Sequence, residues 1–171
     1  MSVPLNASLP RFEPSIAELA CVQGSEFLPF VLHNLACIPE KDLDRLVETL
    51  NKDNITGSGT NAIRLVCPAP TTIPQSKTLG GGLATHVRYC TTNLDDLDCF
   101  PFGFSTVLDE DWKNDGLFLV SIDFEEPFEV TGFRLSLDDV PTAASTLRDG
   151  DNGVKEVQEL YEYRKPTSPP T

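Results

Sequence analysis

The stretch from Leu117 to Leu137 (LFLVSIDFEEPFEVTGFRLSL) constrains the fold of this chain more than any other. Phe118, Val120, Ile122 and Phe124 are apolar at alternate positions, while the residues between them, Leu117, Leu119, Ser121 and Asp123, turn polar as the chain proceeds. Period-two alternation rich in β-branched and aromatic side chains reads as a strand with one buried face. The following run repeats the pattern with a fault. Phe128 and Val130 are apolar at even positions, but Phe133, Leu135 and Leu137 are apolar at odd ones. A one-residue bulge at Thr131–Gly132 returns all five to one face, and glycine tolerates that geometry. Between the runs lies Glu125-Glu126-Pro127, where proline at a strand's first residue gives up no ladder bond. The expectation is an antiparallel hairpin with a bulge. A lone hairpin is marginal, so the rest of the chain must cover it.

The preceding sequence supplies helical candidates. Ser15-Ile16-Ala17-Glu18 matches a capping box and opens a short helix that stops at Gly24. From Ser25, the residues Leu28, Val31, Leu32 and Leu35 fit one helical face, while Pro29 keeps a strand over Phe27–Leu32 as the alternative. Pro39 opens the clearest helix, with Leu43, Leu46, Val47 and Leu50 in a stripe and charged residues around it, ending near Asn51–Asn54. Asn61–Cys67 and Thr85–Thr91 read as strands, and Ala69–Gly82 between them as a long loop. Ser105–Leu108 reads as a short strand, the stretch from Leu137 to Gly153 as a loop, and Val154–Tyr163 as either a helix or a final strand. The fold class is therefore α+β: N-terminal helices packed on a mainly antiparallel sheet of about four to six strands, with extended proline-containing termini. The organisation is an arm over 1–14, one domain over 15–164 and a proline-rich tail over 165–171.

Charge narrows the partners. The 26 acidic residues against 13 basic ones leave a net charge of −13. That balance argues against nucleic acid and anionic membranes, both of which need clustered Lys and Arg. It favours another protein, with a basic one as the electrostatic match, or a second copy of the chain. No apolar run is long enough to span a bilayer, and the first residues lack a basic start and an apolar core. The expected location is cytoplasmic, with an intravirion one compatible.

Chemistry-bearing motifs are sparse. The five cysteines make no C-x-x-C pair and read as small buried hydrophobes in a reducing compartment. Gly57-Ser58-Gly59 and Gly80-Gly81-Gly82 lack the residues that complete a phosphate loop. The two histidines, His33 and His86, have no partner at zinc spacing. On the strand expected at Thr85–Thr91, His86 and Cys90 stand too far apart to chelate unaided. Asp111–Gly116 imitates the start of a calcium loop, but Lys113 and Ile122 occupy positions that need oxygen ligands. No metal, cofactor or catalytic set is read, and the balance leans away from an enzyme. Phe100, Phe102, Phe104 and Trp112 concentrate aromatic rings in a Pro/Gly-punctuated segment, which reads as either a cap on the sheet or an apolar contact patch.

The leading expectation is a non-enzymatic interaction protein, an accessory or structural subunit of a larger cellular or viral assembly, docking through those four aromatics. One alternative is a small-molecule or anion-binding module around Gly80, Gly81, Gly82, His86 and Cys90, including a Cys-dependent enzyme. Another is an acidic inhibitor that mimics nucleic-acid charge.

Overall fold

The computed structural model describes residues 28–52, 65–70, 76–123, 128–149 and 153–163. The arm over 1–14, the capping-box helix, the turn carrying Gly57–Gly59, the connection 124–127 and the tail 165–171 lie outside them. The described residues form an α+β fold: β1 (Phe30–Asn34), α1 (Glu40–Asn51), β2 (Val66–Pro68), α2 (Leu79–Thr92), β3 (Gly103–Val107), α3 (Trp112–Asp115), β4 (Leu117–Ile122), β5 (Val130–Leu135), α4 (Val140–Asp149) and α5 (Val154–Tyr161). None of these helices is long and apolar enough to cross a membrane.

The five strands lie in the order β2-β1-β3-β4-β5. β1 runs parallel to both β2 and β3, whereas β3–β4 and β4–β5 are antiparallel. The sheet is thus mixed, which corrects the expectation of a mainly antiparallel one. The cause is local. Thr85–Thr91, expected as a strand, lies inside α2, so the order β1-α1-β2-α2-β3 holds two parallel crossovers. The first crossover runs from β1 to β2 and the second back from β2 past β1 to β3, so right-handed connections place α1 and α2 on opposite faces. α4 touches α1, α5 and β4, which completes the α1 side.

Each element follows from its residues. In α1, Leu46, Val47 and Leu50 are buried, and Glu40 and Asp42 occupy the first turn, where carboxylates suit the helix dipole. Asn51 closes α1 onto the short strand beyond it. Its amide donates to the Val47 and Val66 carbonyls, and its oxygen accepts from the Leu65 and Val66 amides. Phe30–Asn34 is a strand rather than a helix, with Phe30, Val31 and Leu32 at 0% exposure between parallel neighbours. A strand buried on both faces reads as a continuous apolar run. Phe30 lies across Gly103, where a Cβ would stand 2.7 Å from its ring, and stacks on Phe100 with centroids 4.9 Å apart.

The hairpin is present without its bulge. Leu117 pairs with Leu135, and the register runs unbroken to Ile122 opposite Val130. The Asp123 amide continues it to the Glu129 carbonyl. No bulge is needed because the sheet is covered on both sides. Leu117, Leu119, Phe133 and Leu135 are buried on the α1 side, and Val120 and Ile122 on the other. The residues after Leu137, expected as a loop, form α4, which buries Val140, Ala143, Ala144 and Leu147 at helical spacing. Both readings of Val154–Tyr163 find a place. α5 ends at Tyr161, Glu162 then bridges Leu135, and the Tyr163 amide donates to the Arg134 carbonyl.

Candidate functional site

The chemistry-bearing side chains gather between the sheet and α2. Thr78 caps α2 by accepting the Gly81 amide, and Leu83, His86 and Cys90 then form its buried face. That helix overturns the strand expected over Thr85–Thr91. One helical turn separates His86 from Cys90, so both face the sheet and Cys90 Sγ lies 3.7 Å from His86 Nε2. From the last turns of α2, Tyr89 donates its hydroxyl to the carboxylate of Asp98 beyond the helix end, which anchors the segment that turns back toward β3. The next residue, Cys99, brings its Sγ to 3.8 Å from that of Cys90. Two residues further on, the Pro101 carbonyl lies 3.2 Å from His86 Nε2, so the imidazole N–H donates to it.

The sheet closes the cluster. Val31 pairs with Phe104, which places His33 on the same face as Phe104 and Thr106. His33 stands edge-on to both His86, with centroids 5.8 Å apart, and Phe104, at 5.0 Å. Exposure is 6% for His33, 0% for His86 and Cys90, and 1% for Cys99. Burial holds both imidazoles neutral. It lowers His33 to about 3, with the neighbouring His86 adding to the shift, and lowers His86 to about 4 against the raising effect of its carbonyl bonds. His33 Nε2 and His86 Nδ1 have no hydrogen-bond partner among the described residues. The adjacent Cys90 thiol, then burial, push the Cys99 thiol up, so it stays protonated.

The residues expected at a ligand site divide. His86 and Cys90 meet, but Gly80, Gly81 and Gly82 form the first turn of α2. Gly81 lies nine residues from Cys90, about 13 Å along the helix. The Gly81 and Gly82 amides are bonded to the side chain and carbonyl of Thr78, so this turn caps itself. The aromatics are part of the core. Phe100 and Phe102 are 2% exposed, Phe104 0% and Trp112 8%, which leaves no apolar patch at these positions. Phe104 belongs to β3 itself and packs against His86 at 4.9 Å, while Phe100 stacks on Phe30, whose ring Gly103 admits. Cys99 and His33 complete the cluster. Cys99 is brought to it by the turn that follows α2, and His33 by the pairing of β1 with β3.

A sealed thiol is out of a substrate's reach, and the thiolate that attacks must be reached. The thiols therefore separate by position: Cys37 is exposed, while Cys90 and Cys99 are buried. Brief treatment of the native, reduced chain with a thiol reagent, mapped by peptide mass spectrometry, is expected to label Cys37 and to spare Cys90 and Cys99 until urea unfolds the chain. Rapid native labelling of Cys90 would support the cysteine-enzyme alternative. No protein-family model, curated protein sequence or solved structure matches the chain.

Proposed function

We propose that the chain is a non-enzymatic interaction protein, an acidic accessory subunit of a larger assembly. The observation that carries this reading is the sealing of its reactive side chains. His33, His86, Cys90 and Cys99 come together with no more than 6% exposure each, so the cluster presents nothing to a substrate. Charge supplies the complementary argument. Acids outnumber bases by 26 to 13, and Asp95, Asp96, Asp98, Glu110 and Asp111 stand exposed at the two ends of the β3 region. A surface of one sign steers and selects a partner of the other. With the four aromatics in the core, recognition rests on this acidic surface, and a basic protein face is the partner it fits.

Association of this kind weakens as salt screens it. Cross-linking and size measurement of the chain in cell extract, at low and at high ionic strength, are expected to show a complex with a protein of basic isoelectric point that salt dissolves. A chain that stays monomeric at both ionic strengths, with no basic protein cross-linked, overturns the proposal.

A further inference from the structure

Three donor atoms from two stretches of chain converge under α2: His86 Nε2, Cys90 Sγ and Cys99 Sγ, all within 4.8 Å of one another. We propose that they bind one Zn(II) ion, a structural centre that ties the C-terminal half of α2 to the segment entering β3. The geometry carries the inference. Zinc bonds of about 2.3 Å to sulfur and about 2.0 Å to nitrogen, set tetrahedrally, give an S···S edge of about 3.8 Å and an S···N edge of about 3.5 Å. The two thiols lie 3.8 Å apart, and Cys90 lies 3.7 Å from the imidazole nitrogen. The Pro101 carbonyl oxygen, 3.2 Å from the same nitrogen, is the adjacent donor for the fourth corner.

Donor type and charge select the ion. Two thiolates and one imidazole are a soft N/S set. Their summed charge of −2 is cancelled by a divalent ion, and a site with 0–1% exposure tolerates no residual charge cheaply. Monovalent copper would leave one negative charge in the core. On binding, two S–H bonds break, two Zn–S bonds form, and both protons leave to solvent. The imidazole proton moves from Nε2 to Nδ1. His33 contributes its ring edge to this chamber and stands outside the donor set.

The full chain, reduced and stripped with a chelator, is titrated with Co(II) and then with Zn(II). Saturation at about one equivalent is expected, with the visible bands of tetrahedral cobalt and a thiolate-to-cobalt charge-transfer band, all bleached by Zn(II). About two protons should be released per metal. Cys37→Ser should keep the full signal, while Cys90→Ala and Cys99→Ala should lose the tetrahedral spectrum. Because a core alanine can unfold the chain, a second measurement uses the unaltered protein. In moderate urea, Zn(II) should protect Cys90 and Cys99, but not Cys37, from alkylation. A cobalt spectrum without charge transfer, a tetrahedral spectrum retained in folded Cys90→Ala, or equal alkylation with and without Zn(II) would each overturn the proposal.

Discussion

Moving the metal-free chain from pH 7 to pH 5 is expected to remove about 4 kcal/mol of folding stability through its two histidines alone. His33 and His86 have an ordinary value of 6.5 that the fold lowers to about 3 and about 4. At pH 5 the unfolded chain has taken up both protons and the folded chain neither. Stability rises with pH wherever the unfolded state holds more protons, so the contribution is complete above about pH 6.5 and drains away as the pH falls toward 4. Each histidine is then charged in the unfolded state at a pH about 1.5 units below its ordinary value, which is about 2 kcal/mol apiece. That is a large part of the 5–15 kcal/mol that typically holds a domain together. Urea midpoints at the two pH values measure the loss. Because the chain has only two histidines, their proton resonances isolate the cause. Neither should titrate in the folded chain near pH 6.5, and a normal titration of either would remove the explanation.

This acid sensitivity belongs to a chamber that the sequence conceals at a single segment. Thr85, Val87, Tyr89 and Thr91 alternate with polar and small residues, and β-branched and aromatic side chains favour strands. Three glycines at the start add a penalty against a helix. Tertiary packing prevails, with Thr78 as the cap and Leu83, His86 and Cys90 as the buried stripe. A strand reading of this segment hides two further facts. It removes the second βαβ unit, and with it the parallel pairing of β1 and β3, and it breaks the i, i+4 contact of His86 with Cys90.

α1 is legible because its stripe is made of large residues amid charge. α4 has an equally regular stripe, Val140, Ala143, Ala144 and Leu147, with Pro141 in the first turn, where a helix accepts it. Its alanines are too small to stand out among Ser, Thr and Asp. The expected bulge rests on the premise of one buried face. A sheet covered on both sides lets apolar residues change parity along a strand with its register intact.

Gly116→Ala is expected to destabilise the chain by at least about 3 kcal/mol, through two separate causes. Gly116 ends α3 and delivers the chain into β4 with φ 79° and ψ −168°, a region that only glycine occupies without strain. A side chain there would also strike the partner strand. Its Cβ would collide with the Leu135 carbonyl oxygen and lie 2.6 Å from the Leu135 carbonyl carbon and 3.1 Å from Ser136 Cα. Backbone cannot yield as a side-chain tip can. Leu135 is the residue that pairs with Leu117 on one side and bridges Glu162 on the other, so displacing it loosens β4, β5 and the end of α5 together. Gly153 is the internal comparison. It precedes α5 with an ordinary φ of −67°, and a Cβ added there would meet nothing within 4 Å among the described residues, so Gly153→Ala should change stability by less than about 0.5 kcal/mol. Equilibrium unfolding in urea compares the two variants. Equal midpoints for Gly116→Ala and Gly153→Ala would mean that the α3–β4 junction does not fix the hairpin's register.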